Sequence, residues 1–336
     1  MLAALTRVEI RMRAAVLLIV FGLLAACQTV PGRSGAANPG GDALPRLDSA
    51  LAGSYDNHEQ VQRTGAAAHA GTALAVPHLR EHWQALSRAH GGSLWLWRLE
   101  TSDAPHPATA TWLYLLSANG AGVTLTPYRA LDPATAEKAS SAPEKFRFVA
   151  EQWAELAPCA QTGTWKEDRF IAQADAAACS ALLPGLGAAA ALLPLRMELD
   201  GDMLRTATFA DQARGANASI DARRVRWFTG WAAINGGGPK ARAGNNDWHL
   251  QKGLRLSSEG GRAELRWRDG AASGWSLQLE RKTYAERKQD VLQLNVIDDA
   301  DGAIVDYAWT NPQATAIGFN LGWLQVGLTQ ETAPRP

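Results

Sequence analysis

From about residue 92 onward, apolar and polar residues alternate with a period of two. "SLWLWRLE", "TATWLYLL" and "GVTLTPYR" each set every second side chain on one face, which predicts half-buried β-strands. "PLRMELDGDMLRTATF" reads as two strands joined at Asp200 and Gly201, because Asp-Gly accepts the positive φ of a tight hairpin. The tract from about Arg223 to Gln330 alternates throughout and predicts further β structure. Three stretches carry helical spacing instead. Residues 48–62 are amphipathic, residues 77–88 open on Pro77 with Leu79, Trp83 and Leu86 on one face, and Phe146, Val149, Ala150, Trp153 and Leu156 recur similarly. Many strands with short connections and few helices predict a mainly β chain, an antiparallel barrel or sandwich. The apolar run from Ala181 to Leu195 is broken by Pro184, Gly185, Gly187 and Pro194, so a second membrane span is not expected.

The N-terminus differs from the rest. Arg7, Arg11 and Arg13 precede an apolar run from Ala14 to Leu24 that is too short to span a bilayer and fits a secretory signal. It ends in "LAAC", which resembles the bacterial lipobox and implies acylation, with palmitate among the chains, at Cys27. Two acyl chains anchor stably where one would not. Gln28 stands where an aspartate would retain many such proteins in the inner membrane. The expected location is therefore the inner leaflet of the outer membrane, facing the periplasm, with the bilayer as partner. The breaker-rich residues 28–43 read as a tether with a reach of roughly 20 to 25 Å. The expected organisation is a signal at 1–27, that tether, a domain at 44–220 and an all-β extension or second domain at 221–330.

Cys159 and Cys179 are the other cysteines. In an exported chain they are expected to form a disulfide, with a polar break at Lys166 to Asp168 folding the intervening segment into a hairpin. A catalytic thiol or metal site is the rival, but no CxxC spacing exists. The 33 basic residues equal the 33 acidic ones, so no net field gathers phosphate backbones, and nucleic acid is not an expected partner. Of 336 residues, 46% are hydrophobic and 13 are Trp, enough for a large core and for aromatic pockets alike.

Four stretches together carry a resemblance: "ALAGSYDNHEQ", "LWLWRLE" ending in Glu100, "LTPYRALDP", and "PCAQTGTWKEDRF" followed by a second cysteine. In order and spacing they resemble the CpcT/CpeT family of phycobilin chromophore lyases over roughly residues 44 to 215. The resemblance implies a calycin-like antiparallel barrel that holds an open-chain tetrapyrrole for attachment to a cysteine of an acceptor protein. Tyr55, Asn57, Gln60, Glu100, Tyr128 and Arg129 are then the candidate ligand-binding residues, with Trp95, Trp97 and Trp112 on the cavity wall. In this view Glu100 orients a pyrrole nitrogen and Arg129 pairs a propionate, the alternative for either being a rim salt bridge. The structural alternative for the first stretch is a helix capped by Asn57. Where the family carries a Pro-Tyr-Arg-x-Arg run, this chain has "PATATWLYLL", and both arginines are missing. No motif demands a cofactor, and a bilin-like molecule is the only ligand implied.

Two other readings compete. One is a non-enzymatic envelope protein whose barrel is filled by its own Trp and Leu side chains. The other is a zinc hydrolase, since "HLREH" matches H-x-x-E-H and a helix would put His78 and His82 on one face, with Glu81 as general base.

Overall fold

The computed structural model describes residues 42–69, 76–89, 91–101, 109–182, 186, 192–208, 219–241, 244, 246–284 and 289–332. Cys27, the signal and nearly all of the tether lie outside them. Among the described residues no helix is long and apolar enough to cross a membrane.

The first half is a closed antiparallel barrel. Its strands are β1 (Gly53–Asp56), β2 (Leu79–Ala89), β3 (Gly92–Thr101), β4 (Thr109–Asn119) and β5 (Gly122–Ala130). After the short β6 (Trp153–Glu155) come β7 (Gln161–Lys166), β8 (Arg169–Ala174), β9 (Pro194–Asp200), β10 (Met203–Thr208) and β11 (Ile220–Arg224). The order β4-β3-β2-β1-β11-β10-β9-β8-β7-β5 closes through β4–β5, giving ten strands, and β6 adds to the outside edge of β5. Helix α1 (Ala43–Leu51) plugs one end with Leu47 and Leu51, and α2 (His58–His69) lies at the other. Helix α3 (Pro133–Ser141), its N-terminus capped by Asp132, covers a small outer core of Leu94, Leu96, Leu113 and Trp153. The short α4 (Ala176–Ser180) follows β8 and carries Cys179.

The second half is a sandwich. Strands β12 (Trp227–Asn235), β13 (Trp248–Ser257), β14 (Glu259–Arg266), β15 (Ala272–Tyr284), β16 (Gln289–Asp298), β17 (Ile304–Thr310), β18 (Ala316–Asn320) and β19 (Leu324–Gln330) form two four-stranded sheets. One runs β13-β12-β19-β18 and the other β14-β15-β16-β17. Phe228, Ile234, Leu256, Leu277, Leu294 and Val326 interdigitate between them in a core separate from the barrel's. Strand β11 pairs with β1 and β10 in the barrel, and β12 is the first strand of the sandwich.

Both hairpins expected from the sequence are present. Strands β9 and β10 pair from Asp200 and Met203 around Gly201, whose φ of 56° suits glycine. Strands β7 and β8 pair from Lys166 and Arg169, and Cys159 is bonded to Cys179 with Cα atoms 4.5 Å apart. A cross-link over 20 residues is worth about 3 kcal/mol in the chain-entropy model. Reduction is therefore expected to lower the melting temperature by several degrees, while thiol titration of the folded, unreduced Cys27→Ser chain finds no free thiol.

All three expected helices are corrected. Residues 48–62 are two helices separated by β1, because Gly53, at φ 136°, turns the chain out of the helix into the sheet. Residues 77–88 are mostly β2. Residues 146–156 hold a 3-10 turn, Ala150–Gln152, and β6, with Trp153 packed on the outer barrel wall.

Candidate functional site

Cross-strand register decides which residues face the barrel interior. Directly paired residues share a face, so Trp83, Trp97, Trp112 and Arg129 form one row and Tyr55, Glu81 and Leu99 another, both inward. The interior is occupied by side chains. Trp83 lies 5.1 Å from Tyr114 and 5.8 Å from Trp97, ring centre to ring centre, and none of these rings reaches solvent. Glu81 is buried among them and accepts hydrogen bonds from Trp97 Nε1 at 2.9 Å and Thr206 Oγ1 at 3.1 Å. Burial, reinforced by the Glu81 carboxylate, pushes the Tyr114 hydroxyl far above the usual phenol range. Trp83 Nε1, Trp112 Nε1 and Tyr114 Oη are buried donors that meet no acceptor among the described residues.

Space opens at the junction between barrel and sandwich. A cleft of about 590 Å³ is lined by Asp56, Glu59, Arg63, Asp202, Arg223 and Arg281, among others. Most of its charges are paired: Arg223 with Glu59, and Arg281 with Asp202 at 3.1 Å and with Glu259 at 2.8 Å. Burial pushes the Glu259 carboxyl up to about 8, although Arg281 and Arg223 pull against it. The halves are further stitched by His58 to Glu280 at 3.3 Å and by the Thr283 amide donating to Glu59 at 2.7 Å. At Gly260, with φ 78°, a Cβ would stand 2.4 Å from the His58 ring, so only glycine permits this close approach of sandwich to α2.

A second cleft of about 450 Å³ lies on the outer face of β1, β2 and β3, roofed by Trp227, Arg255 and Arg262 of the sandwich. Ser54, His82 and Arg98 are paired in register across the three strands, and Asp56, Arg80 and Glu100 form the parallel row beside them. Ser54 Oγ and His82 Nδ1 are 2.9 Å apart. Burial, then the charge of Arg98, holds the His82 imidazole below its ordinary range, which favours its neutral form.

The candidate residues scatter across these environments. The Tyr55 hydroxyl sits under α1, donating to the carbonyl of Leu51 at 3.1 Å and accepting from Arg224 at 2.5 Å, a structural lock at the closed end. Asn57 and Gln60 hold the other end. Asn57 accepts from the Leu79 amide and donates to the Pro77 carbonyl, while Gln60 donates to the Ser219 carbonyl and accepts from the Asp221 amide. Glu100 is exposed on the outer face, so the backbone of Tyr55 shares the second cleft with it but the Tyr55 ring does not. Tyr128 packs outward, edge-on, against Phe148. Arg129, its neighbour, lies on the inward row.

The H-x-x-E-H reading is overturned. In the extended backbone Glu81 points into the barrel, while His82 points out toward Ser54 and His78 bonds Asp56 at 2.7 Å, so the three cannot share an ion. Sequence reasoning passed over Ser54, Arg98, Trp227, Arg255 and Arg262. Arg98 sits two residues before Glu100 in "LWLWRLE", and strand alternation alone puts both on one face.

By fold, this is a two-part β protein: a ten-stranded closed barrel whose outer wall meets a sandwich of two four-stranded sheets. No known protein-family model matches the chain, and no curated protein matches it.

Proposed function

We propose that the chain is a non-enzymatic binding protein of the cell envelope, tethered through acylated Cys27, whose ligand is held at the barrel–sandwich junction. The observation that carries this reading is the contrast between an interior filled by Trp83, Trp97, Trp112 and Tyr114 and open clefts where the two halves meet. Clefts of a few hundred Å³ between two rigid units are where small ligands commonly bind. Anchoring is tested by metabolic labelling: palmitate should enter the wild-type chain and not Cys27→Ser, which should move to the soluble fraction. Equal labelling of both would remove the tether from the account.

A second reading keeps the CpcT/CpeT-like activity, bilin attachment to a cysteine, with the tetrapyrrole inside the barrel. Three buried donors without acceptors, Trp83 Nε1, Trp112 Nε1 and Tyr114 Oη, favour it, since buried donors are rarely left unmatched. Its test is biliverdin titration, with saturable quenching of tryptophan emission that Trp112→Phe weakens and Arg98→Gln leaves unchanged. Quenching that fails to saturate would count against it.

A further inference from the structure

The second cleft has an uneven charge balance. Its lining includes Arg80, Arg98, Arg255 and Arg262 together with His82, against Asp56, Glu81 and Glu100. Glu81 faces the barrel interior and bonds Trp97 there, so it does not offset charge in the cleft. Three of the four guanidiniums are committed. Arg80 pairs with Asp56 at 2.8 Å, Arg255 with Glu331 at 2.7 Å while stacking 3.7 Å from the Trp227 ring centre, and Arg262 with Asp299 at 2.5 Å.

Arg98 is different. It forms no ion pair among the described residues, and its Nε is buried without a hydrogen-bond acceptor. Glu100, two residues along the same face of β3, makes no ion pair with it. A guanidinium Nε that loses water without gaining an acceptor is costly in an apoprotein, and the fork that it forms with the neighbouring Nη groups fits the paired oxygens of a phosphate or carboxylate. Beside it in the same cross-strand row stand His82 and Ser54; the 2.9 Å bond between them uses one of the two protons the neutral pair carries and leaves the other to donate to a further oxygen of the same group.

We propose that the Ser54–His82–Arg98 row is the floor of an oxyanion site, which takes the phosphate or carboxylate group of a small molecule whose remainder lies under Trp227 and Arg262. This rests on the junction reading above and adds the chemical class of the ligand to it. Glu331 and Asp299 neutralise Arg255 and Arg262 overhead, so the charge left to attract an anion is that of Arg98, and the volume of about 450 Å³ admits a group much larger than a free ion. The barrel strands supply the floor and the sandwich the roof, which gives the fusion of the two halves a purpose.

The test is calorimetric titration of inorganic phosphate, acetate and citrate into the full chain at low ionic strength. Saturable binding of phosphate, of the carboxylates, or of both is expected, and the three arms identify which oxyanion the site prefers. Arg98→Gln should raise the dissociation constant ten-fold or more, because it removes the charge and the donor fork while keeping a polar side chain. Arg98→Lys should recover part of that loss, since charge returns without the fork. Arg46→Gln, whose side chain meets Asp168 and the Trp165 ring at the plugged end of the barrel, should change nothing. If none of the three anions binds the wild type, or if Arg98→Gln binds them as tightly, the oxyanion site is refuted. Binding that survives Arg98→Gln but is lost in Arg63→Gln would move the site to the larger cleft, refuting this inference while leaving the junction reading intact.

Discussion

Replacing Trp97 by alanine is expected to destabilise the chain by about 3 to 5 kcal/mol, the range for an aromatic deleted from a rigid core. Trp97 is 1% exposed, packs on Trp83 and Tyr114, and donates to the buried Glu81 carboxylate. The substitution both opens a cavity and deprives a buried charge of a donor, so the loss should fall at the upper end. Trp97→Phe separates the two effects. It retains most of the ring packing and removes only the donor, so it should cost about 1 to 3 kcal/mol. Urea melts of both variants, followed by far-ultraviolet circular dichroism, give the comparison. A Trp97→Ala chain as stable as the wild type would mean that the interior is not packed as described.

Stability is also expected to fall as pH rises from about 4.5 to 8, and Glu259 is the cause. Burial raises its folded-state pKa to about 8 against an ordinary value of 4.5. Between these values the folded state holds a proton that the unfolded chain has released. The stabilisation is therefore complete below the lower value, lost as pH climbs, and exhausted above the upper one. One proton gives a slope of at most about 1.4 kcal/mol per pH unit, and the whole window amounts to a few kcal/mol. Glu259→Gln cannot ionise and should flatten this slope while its amide oxygen still accepts from Arg281. Thermal melts at half-unit pH intervals test this directly, and an unchanged slope in the variant would assign the effect elsewhere.

Much of the fold was legible because strand alternation and turn chemistry are local. The Asp200-Gly201 hairpin and the Cys159–Cys179 hairpin needed no tertiary information. Strand β2 did need it. Its inward set is Leu79, Glu81 and Trp83, and the charged Glu81 breaks the apolar alternation at its second member. A register shift between Ala85 and Ser87 then changes the parity. What remains visible is Leu79, Trp83 and Leu86, a spacing indistinguishable from one helix face. Glu81 could be read as interior only once Trp97 and Thr206 were known to surround it.

The candidate site was less legible for a related reason. Asn57 and Gln60 are polar residues in a short motif, as a ligand site would require, yet their amides bond backbone groups that close one end of the barrel. Only the partner atoms separate those roles. Arg98 carries the opposite lesson. Nothing in "LWLWRLE" marks it, and its importance arises from the sandwich that roofs it, formed by residues more than a hundred positions away.

The central claim is that ligand binding belongs to the junction and not to the barrel interior. Native mass spectrometry of the protein purified from the cells that make it, compared between wild type, Arg98→Gln and Trp112→Phe, tests it most directly. The account predicts a small-molecule adduct on the wild type and on Trp112→Phe that is absent from Arg98→Gln. An adduct that persists in Arg98→Gln and disappears from Trp112→Phe would place the ligand inside the barrel and contradict it.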